Sequence, residues 1–399
     1  MLPLQFDVAR LPQILFGPGR RGELGNLIDR TGARCILFVT GAQTVQRWDG
    51  WQALCDGLAR KGTVWSQEIV AAEPSPQLVD AIVSKCFAQR IELVVGIGGG
   101  SVVDAAKAIA GLLPFGNSVL DHLEGVGAGK PYRGPALPFI AVPTTAGTGS
   151  EATKNAVLSV IGPHGYKKSF RHDTLVPQYA IVDPDWLRSC PPAQTAANGM
   201  DAFTQLLESY VSINASAFTD ALAWSGLVSA KQGLVDAWRG GDDAAANRGR
   251  AQMAYAALLS GITLAHAGLG SVHGLASPLG AYFPIAHGVV CGTLLAAATE
   301  VNIAALRKRD ARSPALVKYA QVGRIFRQRT HLEEIGARVF LVHTLTEWTK
   351  QLQLPRLSAH GVSEASLDHV VAHCRGSSMQ TNPIVLSDAE VKVVLQKCL

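Results

Sequence analysis

The stretch "VVGIGGGSVVDAAKAIA", residues 94–110, decides how the chain is read. A run of apolar residues meets Gly96, Gly98, Gly99 and Gly100, then Ser101 and Asp104, then an alanine-rich pattern with helical spacing. A helix starting there offers unpaired N–H groups and a partial positive charge in its first turn. Glycines just before it let a phosphate reach the backbone with no Cβ in the way, and Ser101 can cap the helix or donate to a phosphate oxygen. A glycine-rich turn built only for tight strand–helix packing has the same composition. The pattern is neither GxGxxG nor GxxxxGKS/T, so neither standard nucleotide motif is present.

Outward from this point the first half of the chain alternates. "CILFVT" (35–40), "TVWSQEI" (63–69), "IELVVGIG" (91–98), "PFIAVPTT" (138–145) and "YAIVDP" (179–184) read as short buried strands. Helical patterns lie between several of them, as in "SPQLVDAIVSKCFAQRI". Continuous apolar strands alternating with helices predict a parallel sheet with helices on both faces. "AVLSVIG" (156–162) and the strand after it predict an antiparallel hairpin added at an edge of that sheet. Beyond "DPDWLRSCPPAQTAANGMDAF" strand patterns vanish, and alanine- and leucine-rich helical segments follow at 215–237, 244–267, 291–307, 313–330 and 363–374. The expected division is an α/β domain over 1–187 and an all-helical domain over 188–399. A length of 399 residues also favours two domains.

Composition excludes several classes. Hydrophobic residues make up 48% and charged residues 17%, the balance of a globular chain with a large core. The net charge of +5 is small, and "YKKSFRH" is the nearest thing to a basic run, so a nucleic-acid partner is not expected. The seven cysteines are scattered without a CxxC pair, which speaks against a disulfide framework and for a reducing cytoplasm. No targeting segment or membrane span is expected, since no stretch reaches about 18 uninterrupted apolar residues.

Two further stretches carry chemistry. "PTTAGTGSEAT" (143–153) follows a strand and supplies Thr144, Thr145, Thr148 and Ser150, so two turns at carboxyl ends of parallel strands would face one crevice. In "NGMDAFTQLLES", Asp201 and Gln205 lie four apart on one helix face. "HAGLGSVHGLASPLGAYFPIAHGVV" holds His266, His273 and His287, candidates for metal binding or proton transfer, although a lone histidine in an apolar helix is often just a core residue.

Together "GGGSVVDAAKAIA", "PTTAGTGSEAT", "AIVDP", "GMDAFTQLLES" and "GSVHGLASPLGAYFPIAHG" resemble, in order, the signature regions of the iron-containing (group III) alcohol dehydrogenases. The resemblance runs from "ILFGPGRRGELG" to "TNPIVLSDAEV", essentially the whole chain. It implies a dehydroquinate synthase-like architecture, with a dinucleotide-binding α/β domain, a helical metal and substrate domain, and an active site between them. It places the cofactor pyrophosphate on Gly98, Gly99, Gly100 and Ser101, with Asp104 in the same motif. It places the nicotinamide half on Thr144, Thr145 and Thr148, and a ribose contact on Lys167. The implied ligands of a divalent metal, Fe2+ or Zn2+, are Asp201, Gln205, His273 and His287, and Asp201, His273 and His287 are the implied catalytic residues.

Three positions depart from the family pattern. Gln205 stands where a histidine ligand is usual, and a neutral amide is a poorer partner for iron or zinc, so weak metal binding is expected. Ser277 stands where many relatives have a further histidine near the substrate. His266 would lie about 10 Å from His273 along a continuous helix, too far to replace the missing ligand. Gly41 stands after the second strand where NAD-using relatives carry an Asp for the adenine ribose, which favours NADP over NAD.

The implied reaction is metal-assisted hydride transfer between NAD(P)(H) and a small alcohol or aldehyde, in a homodimer or higher homo-oligomer. The rival readings are an enzyme of the glycerol dehydrogenase or dehydroquinate synthase type, and a nucleotide-binding protein with a degenerate metal site.

Overall fold

The computed structural model describes residues 5–327 and 332–399. Its strands are β1 (Gln13–Phe16), β2 (Cys35–Thr40), β3 (Val64–Ile69), β4 (Leu93–Gly98), β5 (Phe139–Pro143), β6 (Asn155–Val160), β7 (Tyr166–Arg171) and β8 (Tyr179–Val182). Six form one all-parallel sheet in the order β1-β8-β5-β4-β2-β3. The helices between them are α1 (Leu24–Thr31), α2 (Gly50–Arg60), α3 (Pro76–Cys86) and α4 (Gly100–Leu112).

Alternation along β2 shows why this sheet is covered twice. Ile36 and Phe38 point to the face packed by Leu24 and Ile28 of α1 and Leu58 of α2. Leu37 and Val39 point to the opposite face, packed by Val79 and Val83 of α3 and Ile109 of α4. A strand buried on both sides has no polar face, hence its continuous apolar sequence.

Among the described residues after Val182 there are helices and no strands. They are α5 (Pro192–Val211), α6 (Ala217–Arg239), α7 (Ala244–Ala267), α8 (Ser271–Tyr282), α9 (His287–Arg309), α10 (Pro314–Phe326), α11 (Glu334–Gln351), α12 (Leu367–Ala372), α13 (Ser377–Gln380) and α14 (Asp388–Cys398). They share one core, with α5 buried along most of its length between α6, α7 and α9. Among the described residues one helix, α9, is long and apolar enough to cross a membrane, and 78% of its apolar window is buried inside this core.

Several expectations are corrected. The hairpin β6–β7 is antiparallel as expected, but it is a separate two-stranded sheet and makes no ladder with the main one. Its second strand is the "YKKSFR" segment itself, whose lysines had disguised it. The edge strand β1, pairing with β8, carried too short an apolar run to be read as a strand. The expected helix over 313–330 ends at Phe326, and residues 328–330 lie outside those described. The expected helix over 363–374 is a 3-10 turn followed by the short α12.

Candidate active site

The sheet order reverses between β2 and β4, because the chain runs outward from β2 to β3 and returns on the other side of β2. Open α/β sheets bind ligands at the carboxyl ends of strands flanking such a point. Both glycine turns lie there. Gly41 follows β2 and its N–H donates to the Ile97 carbonyl of β4 at 3.3 Å. Gly98 ends β4, Gly99 caps α4 in an extended conformation, and Ser101 sits in the first helical turn, partly exposed.

The threonine turn packs directly on this one. Thr144 N–H donates to the Gly98 carbonyl at 2.9 Å. A Cβ on Gly99 would come within 3.3 Å of the Thr145 side chain, and one on Gly100 within 2.7 Å of Thr148. Bare backbone at 99 and 100 is therefore what lets the two turns touch, and Ser101, Thr144, Thr145 and Thr148 all keep partial exposure at this junction.

Asp104 faces inward instead. Its carboxylate accepts from the Ser150 hydroxyl and, at 3.1 Å, from the Val157 N–H, and it lies 3.9 Å from the Lys107 ammonium. Lys107 is fully buried and donates to Ser150 O, Ser150 Oγ, Thr153 Oγ1 and Asn155 O at 2.8–3.0 Å. Burial lowers its amine to about 8, and burial raises the neighbouring Glu151 carboxyl to about 7. These groups fix the turn after Thr148 from beneath, a role the sequence reading did not give them.

Lys167 projects from β7 and donates to both oxygens of Glu73 at 3.0 Å, while Ser159 Oγ donates to Glu73 at 2.9 Å. Burial works against the Glu73 charge, and the Lys167 ammonium outweighs it and holds the carboxyl below its usual range. Ser277 Oγ donates to the Lys167 carbonyl at 3.3 Å.

The second constellation is in the helical half. Asp201 on α5, His273 on α8, and His287 and Cys291 on α9 present donor atoms that all lie within 4.8 Å of one another. Asp201 Oδ1 is 3.3 Å from His273 Nε2 and 3.8 Å from His287 Nε2. Cys291 Sγ is 3.7 Å from each of those two nitrogens. Glycines on α9 make this convergence possible: a Cβ on Gly288 would meet the Ala197 carbonyl at 2.5 Å, and one on Gly292 would meet Met200 at 2.8 Å. The two helices pack almost backbone to backbone beside the cluster.

Glu208, two turns further along α5, holds the cluster in shape. One oxygen accepts from the Val272 N–H at 2.6 Å and caps α8; the other takes the His273 Nδ1 proton at 2.6 Å. His273 is therefore oriented with Nε2 toward Asp201. Burial opposes a charge on this ring, yet Cys291, Asp201 and Glu208 around it raise its proton affinity well above an ordinary imidazole's. Burial would raise Asp201, but His287 and His273 hold it at about 2. Burial and the Lys167 ammonium lower His287 to about 4, so its ring is neutral at neutral pH, and its Nδ1 is buried with no partner. Burial pushes the Cys291 thiol up to about 12. Oxygen, imidazole and thiol donors converging on one point fit a divalent cation.

Gln205 and His266 stand apart from this convergence. The Gln205 amide oxygen accepts from Ser260 Oγ on α7 at 2.8 Å, so the oxygen expected to face a metal has another partner. His266 bonds Ile262 O through Nδ1 and accepts from the Ala9 N–H through Nε2, which ties the N-terminal segment to α7. Cys291 and Glu208 were missed in the sequence. The signal was present, since Cys291 follows His287 by one helical turn and Glu208 follows Asp201 by two.

The two constellations meet at α5. A Cβ on Gly147 of the threonine turn would lie 3.0 Å from Asn198, and Ser260 Oγ reaches both Gln205 and, at 3.4 Å, the Gly147 carbonyl.

Comparison with known proteins agrees with this geometry. The model of the iron-containing alcohol dehydrogenase family matches residues 12–184, and that of its C-terminal region matches 195–399. The chain is 32% identical to long-chain-alcohol dehydrogenase 1 of Geobacillus thermodenitrificans, over 98% of this chain and 96% of that one. It is 33% identical to alcohol dehydrogenase 4 of Saccharomyces cerevisiae, over 97% and 96%. The structure superposes on sulfoacetaldehyde reductase from Bifidobacterium kashiwanohense in complex with NAD+ with a TM-score of 0.82, at 25% identity over 99% of both chains. The fold is the dehydroquinate synthase-like one these enzymes share. The chain therefore belongs to the iron-containing alcohol dehydrogenase family and is an oxidoreductase of alcohols and aldehydes that uses a nicotinamide cofactor.

Proposed function

We propose that the protein reduces small aldehydes with NADPH, and oxidises the corresponding alcohols, at the junction of the two constellations. The observation that carries this reading is the contact of α5 with the threonine turn at Gly147, which brings the helix bearing Asp201 against the turn proposed to hold the cofactor. Gly98, Gly99, Gly100 and Ser101 take the pyrophosphate on backbone N–H groups and one hydroxyl. Thr144, Thr145 and Thr148 bracket the nicotinamide half, and Lys167, held by Glu73, faces the ribose. Asp104 supports the turn from inside and is not assigned a cofactor contact. Asp201, His273 and His287 hold a divalent ion. When bound, the nicotinamide exchanges hydride with the substrate carbon, and the ion acts as a Lewis acid toward the substrate oxygen. Asp201 supplies negative charge to the site, Glu208 keeps the His273 ring in register, and the packed α5–α9 contact keeps bulk water out from behind.

The preference for NADPH is supported by Gly41, which brings no carboxylate to the adenine ribose, and by the exposed Arg47 guanidinium held by Gln43 nearby. The seven cysteines are all free thiols, which supports a reducing cytoplasm. A homo-oligomer, and a division of the chain at about residue 187, complete the reading. A panel of short aldehydes with NADPH and NADH, followed by nicotinamide absorbance, tests it. Oxidation of NADPH by several aldehydes is the expected result. Activity confined to glycerol, or to the cyclisation catalysed by dehydroquinate synthase, would replace the reading with a sister one.

A further inference from the structure

We propose that Cys291, and not Gln205, supplies the fourth protein ligand of the Asp201 centre, that the resulting Asp–His–His–Cys set selects zinc over iron, and that substrate would add its oxygen as a fifth ligand. The inference rests on the reading of that cluster as a metal centre and deepens it. Among the described residues it is the one group of three or more such donors that converges this closely.

The spacing fits a tetrahedral ion with a sulfur ligand. With metal–sulfur near 2.3 Å and metal–nitrogen or –oxygen near 2.0–2.1 Å, tetrahedral angles separate sulfur from nitrogen by about 3.6 Å and nitrogen from oxygen by about 3.4 Å. The structure has 3.7 Å for Cys291 Sγ to both imidazoles, and 3.3 and 3.8 Å for Asp201 to the same two rings. Cys291 is fully buried, and both of its ring neighbours turn Nε2 toward it. His287 opens α9 and Cys291 follows four residues later, one turn on, so one helix face aims both at the same point.

Two independent features agree. Glu208 grips the far nitrogen of His273, the carboxylate–imidazole arrangement that orients ligands in metal sites. The Gln205 oxygen is engaged by Ser260, which removes the side chain that stands at the usual ligand position. The loss of one imidazole on α5 is thus matched by a thiol on α9. Thiolate is a softer ligand than amide or imidazole, and a mixed N, O, S tetrahedron holds zinc more tightly than ferrous iron.

The test uses full-length protein stripped of metal and titrated with Co2+ in the absence of nucleotide. One equivalent should bind, with visible bands of tetrahedral intensity and a near-ultraviolet thiolate-to-cobalt charge-transfer band. Cys291→Ser should lose the charge-transfer band and weaken zinc by about tenfold or more. Cys291→His should restore zinc affinity without restoring the band, which separates loss of a ligand from damage to the fold. Gln205→Ala should leave both affinity and band unchanged. Protein grown with both metals present should carry zinc. Binding of one equivalent of cobalt with no charge-transfer band overturns the inference, as does loss of metal in Gln205→Ala. A protein that gives either result yet still reduces aldehydes leaves the proposed function standing and removes only the role of Cys291. Iron as the metal carried after growth in both overturns the selectivity.

Discussion

Glu208 touches no substrate atom, yet two elements depend on its carboxylate: it caps α8 and fixes the His273 ring. Glu208→Gln keeps the shape and one acceptor but removes the charge facing His273. Zinc affinity measured by competition titration should fall about 10- to 100-fold, with the far-ultraviolet circular dichroism unchanged. The proposed preference for NADPH also turns on single residues. Placing an Asp at Gly41 would be a poor probe, because its Cβ would lie 2.4 Å from Thr44 Oγ1. Arg47 is exposed and offers a cleaner one. A charge-assisted bond to a 2′-phosphate is worth about 1.5–3 kcal/mol, so Arg47→Glu should weaken NADPH tenfold or more and leave NADH nearly unaffected in fluorescence titrations. If the parent protein already binds NADH the more tightly, the assignment fails. Glu151 makes a stability prediction. Burial lifts its carboxyl from an ordinary 4.5 to about 7, so between those values the folded chain holds more protons than the unfolded one. Folding stability at this residue therefore declines as pH rises from 4.5 to 7. Glu151→Gln escapes that decline: its advantage over the parent should be absent near pH 4.5, grow through the window, and level off above pH 7 at no more than about 3 kcal/mol. Matched urea melts at pH 5 and 8 with no change in the difference would refute it.

At the scale of elements, what aligns the cluster is the close crossing of α5 and α9. Gly288→Ala places a methyl 2.5 Å from the Ala197 carbonyl and must part the helices. Overpacking of this kind costs about 1–3 kcal/mol. Because it spreads His287 and Cys291 from Asp201, zinc affinity should fall too, although every ligand is intact; a variant that melts earlier yet binds zinc as before would show that the crossing does not set the site. Crossings like this are what the sequence conceals. The strands β2, β4 and β5 were legible because burial on both faces leaves an unbroken apolar run, and α7 was legible to its last residue. The glycine and threonine turns were legible as turns because each follows an unbroken apolar strand, while their mutual packing through bare backbone at Gly99 and Gly100 was not. The lysines of β7 hid a strand, since its exposed positions answer to water and not to the sheet. Cys291 was passed over because its one-turn spacing from His287 gains meaning only when α5 and α8 bring Asp201 and His273 to the same point. The distance from Gln205 to Ser260 is likewise a tertiary fact.

At the scale of the molecule, the proposed seat of the dinucleotide between the glycine turn and α5 exists in the folded chain and not in the unfolded one. NADPH at about one hundred times its dissociation constant should add about 2.7 kcal/mol to stability and raise the melting temperature accordingly; no shift at such concentrations would show that the folded chain does not bind NADPH. The ammonium of Lys107, wrapped by four oxygens of the 150–155 turn, has a kinetic consequence at this scale. The turn beneath the threonines is held in one shape before any ligand arrives, so its loss of conformational freedom belongs to folding and not to capture of the nucleotide. Association should then follow a single exponential whose rate climbs linearly with NADPH concentration. Lys107→Met, by leaving the turn to sample several shapes, should make only a fraction of molecules receptive at any moment. That would raise the apparent dissociation constant by the inverse of the fraction and bend the rate toward a plateau in stopped-flow traces. A buried amine whose hydrogen-bond partners are all in one turn would thereby govern how quickly each turnover can begin.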